Sequence, residues 1–316
     1  MSRQILVLFL FYAFVQVTVQ LTLTGSHCQL NDQTYYCEVA TVADLFNASL
    51  LPKETAQLTL GNLFNKSYLE NIPALPHYLH DIRNLYFETF IFNDTGIIQS
   101  FLINIRSTVV SLAFIYGQFL SLNAGMFQGF DRLEGLEVIR TGLAHIAPGS
   151  FDGTPVLKWL KLTDNQMPEF DLSILPATLQ ELGAESDNIT TLKASSALNL
   201  PHLDTVYLGH NNFIALPDEL IRFLQNVTTP ISLYFEGMPL TANRDLCANQ
   251  HLQSLLRVAH DRKHIVKVEY ICGRHAEEFC GPNTLRPRVK ADFHCQDCRA
   301  TFFPDQFARA YDICLN

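Results

Sequence analysis

The chain has 316 residues, 48% of them hydrophobic, which is enough to bury a sizeable core. It carries a formal net charge of −9, with only 22 lysines and arginines and no basic run. Phosphate binding needs a basic surface, so this composition argues against a nucleic-acid partner.

Residues 1–26 have the pattern of a secretory signal peptide. Arg3 is followed by an apolar run over 5–15 and then by a mixed glutamine and threonine stretch. The alternative is a membrane anchor, but Gln16, Thr18 and Gln20 interrupt the apolar run. We expect cleavage between positions 20 and 28, and the tail over 310–316 has no hydrophobic anchor signal. The prediction is a secreted, extracellular protein with no membrane span after signal removal.

Two further patterns agree with secretion. The chain has eight cysteines, an even number, and secretion makes disulfides their default use. It also has five N-glycosylation acceptors, at Asn47, Asn65, Asn93, Asn188 and Asn226.

Residues 27–54 are predicted to form an N-terminal cap. Cys28 and Cys37 would close a short loop that covers the open end of the first repeat. In the chain-entropy model such a disulfide stabilises the fold by about 2–3 kcal/mol.

A leucine-rich pattern repeats through residues 55–229. The segment 203–217 reads LDTVYLGHNNFIALP, which matches L-x-x-[L/V]-x-L-x-x-N-x-[L/F]. Related copies begin at 55, 82, 109, 133, 157, 179 and 230, and we number these eight repeats 1 to 8 in chain order. Their spacing of 22 to 27 residues lies in the range of leucine-rich repeats. One unit cannot bury its own apolar edge, so the repeats must stack.

Positions within each repeat have predictable roles. Positions 1, 4 and 6 are expected to form the core, and position 9 the turn. Asn165 and Asn211 hold position 9 as asparagine, whose amide can bond the turn backbone, while Thr141 and Asp187 could do so in part. The asparagine is lost in the first repeats, so we expect an irregular stack at that end.

Two helices are predicted outside the strands. Residues 217–224 begin with Pro217 at a first helical position and place Leu220, Phe223 and Leu224 on one apolar face. Residues 251–264 form the second helix. The convex side is otherwise expected to be irregular.

Residues 230–316 are predicted to form the last strand and a cysteine-rich C-terminal cap. Six cysteines allow 15 disulfide pairings, among which spacing does not choose. They are Cys247, Cys272, Cys280, Cys295, Cys298 and Cys314.

Few residue patterns indicate catalysis. Cys295 and Cys298 form a C-x-x-C that could be a redox pair, or half a zinc site with Cys272, His275, Cys280 or His294. Separate structural disulfides are the favoured interpretation in a secreted cap. His260 and His264 have helical spacing but no nearby acid to complete a metal set. No cofactor or metal is predicted.

The informative surface is the predicted concave face, formed by repeat positions 2, 3, 5, 7 and 8. Trp159 is the only tryptophan, and Ile115, Tyr116 and Ile139 fall on adjacent strands. Exposed aromatic anchors on a concave sheet suit protein binding, although strands favour aromatic residues in any case. The candidate binding residues are Tyr86, Ile115, Tyr116, Ile139, Trp159, Tyr207 and Tyr234.

The arrangement of cap, repeats and cap resembles extracellular leucine-rich repeat proteins. That resemblance implies a horseshoe-shaped α/β solenoid with a parallel β-sheet on its concave face, disulfide-bonded caps and, in most members, protein binding. The segments ALPDELIRFL at 215–224 and ISLYFEGMPL at 231–240 also resemble the non-catalytic leucine-rich subunit of Oplophorus-type luciferase and its arthropod relatives. The chain departs from that pattern, because a lone Cys247 replaces the usual C-x-C.

Three functions follow as hypotheses. The first is a secreted, non-enzymatic protein whose concave face binds another extracellular protein, such as a receptor. The second is a stabilising subunit that binds the catalytic subunit of a secreted enzyme. The third, an enzyme in its own right, would need its site in the C-terminal cap.

Overall fold

The computed structural model describes residues 21–23, 26–31, 34–39, 56–63, 74–75, 80–90, 96–118, 120–235, 250–262 and 264–269. A twelve-stranded sheet runs through these segments, with neighbours hydrogen-bonded in chain order. The first two pairings are antiparallel, and all later pairings are parallel. Its strands are β1 (Leu21–Leu23), β2 (Ser26–Asn31), β3 (Thr34–Val39), β4 (Gln57–Leu63), β5 (Asn84–Phe90), β6 (Ser111–Ile115), β8 (Gly135–Ile139), β10 (Trp159–Lys161), β12 (Glu181–Gly183), β14 (Thr205–Tyr207), β15 (Ile231–Tyr234) and β16 (Val266–Glu269).

The strand register follows the repeat alignment residue for residue. Trp159, at position 3 of repeat 5, pairs with Gly135 on one side and Glu181 on the other, and both neighbours hold position 3. The same holds from β4 through β15, so equal repeat positions form straight rows across the sheet. The leucine-rich repeat solenoid predicted from the sequence is therefore confirmed.

The core lies behind this sheet. Positions 4 and 6 are buried in every described copy, and position 1 in repeats 2 to 7, whereas Pro230 at position 1 of repeat 8 is exposed; in repeat 5, Leu157, Leu160 and Leu162 are almost fully buried. Side chains alternate across a strand, so positions 3, 5 and 7 point to the opposite, open face. We call this open face, with position 8, the concave face.

An aromatic cluster replaces the missing asparagines in the early repeats. Phe87 and Phe114 stack with ring centroids 5.1 Å apart, and Phe90, which holds position 9 of repeat 2, packs edge-on against Phe114 at 5.6 Å. A Cβ at Gly117 would lie 2.4 Å from the Phe90 ring, so glycine leaves the room that this ring needs. The expectation of an irregular N-terminal end was wrong for the described strands, because β4, β5 and β6 pair in continuous register.

From repeat 4 to repeat 7 a ladder of buried polar side chains holds the turns. The Asn165 Oδ1 atom accepts from the backbone of Thr141 at 3.0 Å, and Asn211 Oδ1 accepts from the backbone of Asp187 at 3.1 Å. Each asparagine amide donates to the position-6 carbonyl of the preceding repeat, that of Val138 or Ala184. The predicted role of the position-9 asparagines is confirmed.

Position 8, the residue before the turn position 9, takes a left-handed backbone conformation in each of repeats 2 to 7. Position 8 has φ between 53° and 60° in all six copies, although none is glycine. A left-handed non-glycine residue costs on the order of 1 kcal/mol. A backbone hydrogen bond to the next repeat offsets this cost. The Arg140 amide, for example, donates to the Thr163 carbonyl. These six residues are Thr89, Tyr116, Arg140, Asp164, Ser186 and His210.

The side opposite the sheet is mostly irregular, as predicted. Two short parallel pairs join β7 (Ser121–Leu122) to β9 (His145–Ile146) and β11 (Glu169–Asp171) to β13 (Thr191–Lys193). The helices are α1 (Gly96–Phe101), α2 (Asp218–Asn226) and α3 (Gln250–Asp261), with a 3₁₀ turn at Leu172–Ile174. Within the described segments no helix has the length and apolar character needed to cross a membrane.

The two predicted helices occur with small corrections. In α2 Pro217 is the N-cap with extended backbone, not the first helical residue, and Ile221 is buried where Phe223 is half-buried. The helix α3 ends at Asp261, before the predicted 264.

Several described elements were not predicted. Besides β1 and the short strands and 3₁₀ turn opposite the sheet, they include α1, the hairpin of β2 with β3, and β16, which adds a strand beyond repeat 8. Val266 and Val268 of β16 are buried, and the strand pairs with the edge of β15 that would otherwise be open.

Most predicted cap features lie outside the described residues. Cys247 and the five cysteines that follow it are among them. In the N-terminal hairpin Cys28 stands directly opposite Cys37, a register that allows the predicted disulfide. The disulfide itself stays a prediction.

Candidate binding face

The concave face carries the seven candidate residues in two groups and one separate position. Ile115, Ile139 and Trp159 lie on three neighbouring strands of the sheet, Tyr116 directly follows the first of these strands, and Tyr207 and Tyr234 lie on two later ones. Tyr86 stands apart on β5, opposite Ala113. Trp159 is 44% exposed and Tyr116 is 55% exposed, while the other five are half-buried.

The central patch consists of Ile115, Tyr116, Ile139 and Trp159. Ile115 and Ile139 face each other in register across β6 and β8. The Trp159 indole lies over Gly135, with its Cε3 atom 3.4 Å from where a Cβ at that glycine would be. Glycine at position 135 therefore leaves room for this ring, and Trp159 remains 44% exposed.

An ionic chain borders the patch at position 8. The Arg140 guanidinium sits 5.5 Å from the Tyr116 ring centroid, and its Nη1 atom donates to the Tyr116 hydroxyl at 3.3 Å. Arg140 Nε bonds Asp164 Oδ2 at 2.8 Å, and this hydrogen bond is the main reason that the pKa of Arg140 is raised. Equal positions lie one strand apart, so Tyr116, Arg140 and Asp164 orient one another along the edge of the face.

Two lysines flank Trp159. The Lys158 ammonium lies 5.8 Å from the indole ring and pairs with Glu134 at 2.9 Å. Lys161 leans the other way, with its Cγ atom 3.4 Å from where a Cβ at Gly183 would be. Neither lysine nor Arg140 was among the binding residues predicted from the sequence, although their repeat positions, 2, 5 and 8, belong to the predicted concave face.

The second group is a stacked tyrosine pair. The rings of Tyr207 and Tyr234 lie 4.5 Å apart with planes 21° from parallel. Both hold position 5, so the strand spacing brings the rings into van der Waals contact.

Exposed apolar side chains also occur away from the concave face. Leu120 and Ile214 are each 69% exposed, and both hold position 12 of their repeats, just past the turn. Ile103 follows α1 and is 52% exposed. These three positions are separate from the central patch in the repeat pattern, which makes Ile103 and Ile214 suitable control positions.

Two of the five glycosylation acceptors lie within the described residues. Asn188 is exposed beyond the turn of repeat 6, and Asn226 is exposed at the end of α2. Asn226 also lines a cavity of about 370 Å³ between α2 and the segment 195–201. Neither acceptor projects from the concave face. Asn47, Asn65 and Asn93 lie outside the described part of the chain.

The features proposed for catalysis mostly lie outside the described residues as well, including Cys295 and Cys298. Where the chain is described, no group of three histidine, cysteine, aspartate or glutamate side chains could hold a metal.

The strand register and the buried positions define a leucine-rich repeat solenoid with an open sheet face. No family model matches the chain. Over 72 residues it is 38% identical to Toll-like receptor 7 of Mus musculus, a match that covers 23% of this chain and 7% of that receptor.

Two solved structures are similar in part. The Toll–Spätzle complex of Drosophila shares 14% identity over 66% of this chain and 33% of that one, with a TM-score of 0.42. Human 5T4, the trophoblast glycoprotein, shares 16% identity over 76% of this chain and 88% of that one, also with a TM-score of 0.42. The chain thus spans a third of the Toll structure and a small part of Toll-like receptor 7.

Proposed function

We propose that this protein is a secreted, non-enzymatic binding protein that recognises a partner protein through its concave face. The observation that carries the proposal is the central patch, whose exposed tryptophan, exposed tyrosine and two isoleucines all lie on the same sheet face, with Trp159 at position 3 and the isoleucines at position 7. Aromatic anchors of this kind dominate the energy of protein interfaces. Covering the exposed part of the Trp159 ring would contribute about 2 kcal/mol.

The surroundings of the patch support this role. Gly135 and the Arg140–Asp164 pair hold Trp159 and Tyr116 in place before any partner arrives, which lowers the entropy lost on binding. The described glycosylation acceptors, Asn188 and Asn226, lie off the face and leave it open. Local similarity to a protein named as a receptor is in keeping with recognition.

The test compares the native mass of the wild-type protein with that of two charge-matched double variants. Each is expressed in the secreting cells that naturally produce the chain and purified gently from their medium. In the first variant, Trp159→Glu and Ile139→Glu place two acids in the central patch. In the second, Ile103→Glu and Ile214→Glu place two acids elsewhere on the surface.

We expect one co-purifying chain with the wild type and with the second variant, and at least a tenfold loss with the first. Equal retention by both variants, or a bare monomer from the wild type, would contradict the proposal. If the retained chain carries an enzymatic activity, the protein is instead the stabilising subunit of a secreted enzyme.

A further inference from the structure

The cavity between α2 and the segment 195–201 has a volume of about 370 Å³. Cavities that hold small molecules measure about 300–1,000 Å³. Leu198 and Phe223 pack against the core and also line this cavity. The hydroxyl-bearing side chains of Ser196 and Thr228 line it as well. Such a wall suits a sugar, which has apolar C–H faces as well as hydroxyl groups.

Among the described residues, the cavity lining carries no net charge. Its charged members are Glu219 and Arg222. Arg222 Nη2 donates to Glu219 Oε1 at 2.6 Å, so each neutralises the other. An ionic ligand would have to compete with this pair, whereas a neutral ligand can gain hydrogen bonds and apolar contact without disturbing it. The lining therefore favours a neutral, hydroxyl-rich group.

An N-glycosylation acceptor forms part of the same wall. Asn226 lines the cavity, and Thr228 completes its acceptor pattern. The Asn226 Nδ2 atom donates to the Arg222 carbonyl at 2.7 Å, one turn back along α2. A glycosylated amide keeps one of its two N–H groups, so this hydrogen bond can persist. It holds the amide at the cavity wall, where an attached sugar would begin.

We propose that the first sugar of an N-linked glycan on Asn226 occupies this cavity, with an apolar face on Phe223 and hydroxyl groups toward Ser196 and Thr228. In the modification, Asn226 Nδ2 forms a bond to the anomeric carbon of the sugar. The lipid diphosphate of the activated donor leaves with the electron pair of its bond to that carbon, and the amide loses one proton. The inference rests on the secretion stated in the proposed function, because this modification belongs to secreted proteins.

Covalent attachment strengthens the contact between sugar and cavity. A free sugar would bind so small a surface weakly, because few contacts have to offset the entropy lost on binding. Attachment to Asn226 makes the contact intramolecular, with an effective concentration on the order of millimolar or above. Asn188 differs, since it is exposed and is not among the residues that line the cavity. One glycan should therefore lie against the protein, and the other should extend into solvent.

The test measures how fast peptide-N-glycosidase releases each glycan from the native protein secreted by eukaryotic cells. The enzyme converts the asparagine to aspartate, so mass spectrometry follows the two sites separately. Each rate is divided by the rate at the same site after denaturation. We expect this ratio to be at least about 10-fold lower at Asn226 than at Asn188, because the sugar must leave the cavity before the enzyme can bind it.

Two matched variants identify the cavity as the cause. Phe223→Ala removes the apolar wall, and the ratio at Asn226 should rise to within about 3-fold of that at Asn188. Ile174→Ala is the control, because Ile174 also packs partly buried against the core but does not line the cavity. It should leave both ratios unchanged.

A second pair tests whether the glycan stabilises the fold. Thr228→Ser keeps the acceptor pattern of Asn226, and Thr228→Ala removes it. Both leave the Asn226 side chain in place. We expect Thr228→Ala to have a Tm about 3 °C lower than Thr228→Ser, measured by thermal denaturation of the secreted proteins.

Equal ratios at Asn226 and Asn188, equal effects of Phe223→Ala and Ile174→Ala, or equal Tm values of the Thr228 variants would overturn the inference. Secreted protein without a glycan on Asn226 would overturn it too. Partner capture remains the separate measure of the proposed function. The variant with Trp159→Glu and Ile139→Glu should lose the partner chain while its Asn226 glycan stays protected.

Discussion

At the scale of single residues, Asp187 shows how a repeat position imposes chemistry on its occupant. Its neighbours in the ladder, Asn165 and Asn211, each use an amide to donate to a position-6 carbonyl. Asp187 Oδ1 accepts from the Asn165 backbone at 2.7 Å, while its buried Oδ2 atom has no hydrogen-bond partner within the described residues. An ionised carboxylate cannot donate, whereas a protonated one can replace the asparagine amide.

The surroundings favour the protonated form. Burial is the largest cause that raises the pKa of Asp187 to about 8, and the nearby carboxylates of Asp164 and Glu185 add to it. Hydrogen bonds from Asn165 oppose the rise. His210 holds position 8 of the next repeat, and Arg140 neutralises part of the Asp164 charge. At neutral pH Asp187 is therefore mostly protonated in the folded protein.

The substitution Asp187→Asn should stabilise the protein at pH 8 by about 2 kcal/mol, because the amide supplies a donor without a titrating charge. The sign of the pH dependence follows from linkage. The folded pKa of Asp187 lies above its unfolded value near 4, so this residue's contribution to the free energy of unfolding falls from about pH 4 to about pH 8.

Urea denaturation at pH 5 and pH 8 measures this effect as the difference between wild type and variant. The gain should be larger at pH 8 than at pH 5. Asp131→Asn, at an exposed site, is the control and should show neither change. A gain that is the same at both values of pH would show that Asp187 does not titrate as argued.

At the scale of elements, Arg262 joins α3 to α2. Its Nη1 and Nη2 atoms donate to the carbonyls of Gln225 and Val227, at the C-terminal end of α2. Carbonyls in the last turn of a helix lack partners within the helix, and a cation there also suits the helix dipole. The Arg262 side chain therefore caps the C-terminal end of α2 and connects it to the segment that follows α3.

We expect Arg262→Ala to lower the free energy of unfolding by about 2 kcal/mol through the loss of two charge-assisted hydrogen bonds. Arg222→Ala is a matched control, since Arg222 is exposed and pairs with Glu219 one turn earlier, and it should cost less than about 0.5 kcal/mol. Chemical denaturation compares the two, and amide hydrogen exchange in α2 locates the effect. An equal loss of unfolding free energy in the two variants would mean that the Arg262 hydrogen bonds stabilise the protein no more than the exposed Arg222 pair does.

At the scale of the whole molecule, the two described glycosylation acceptors lie away from the proposed binding face. Asn188 and Asn226 lie beyond the turns and on α2, whereas the central patch lies on the sheet. Glycans are bulky and hydrophilic, so their placement limits which surface a partner can cover.

If the protein is secreted as proposed, we expect glycopeptide mass spectrometry to find both described acceptors occupied. Enzymatic removal of the glycans should leave capture of the partner chain unchanged within about twofold, because the concave face is clear of both sites. The variant with Asn188→Gln and Asn226→Gln checks that the enzyme treatment itself is harmless. A tenfold loss of capture by either route would place the interface on the glycosylated surfaces instead.

The sequence by itself determined the repeat period, the strand register and the buried positions. Each repeat carries its own apolar pattern, and a slip by one residue would turn leucines such as Leu160 to the open face. The same alternation placed Trp159 and Tyr207 on the concave face. Local pattern was sufficient because every repeat obeys the same constraint.

Only the tertiary structure decided how side chains from different repeats meet. Trp159 leans over Gly135 and Lys161 over Gly183, each one strand away but more than twenty residues distant in sequence. Phe90 takes an asparagine position because Gly117 makes room for its ring, and β16 joins the sheet without a repeat pattern of its own. These outcomes depend on volume and charge in neighbouring repeats, which a pattern read one repeat at a time does not contain.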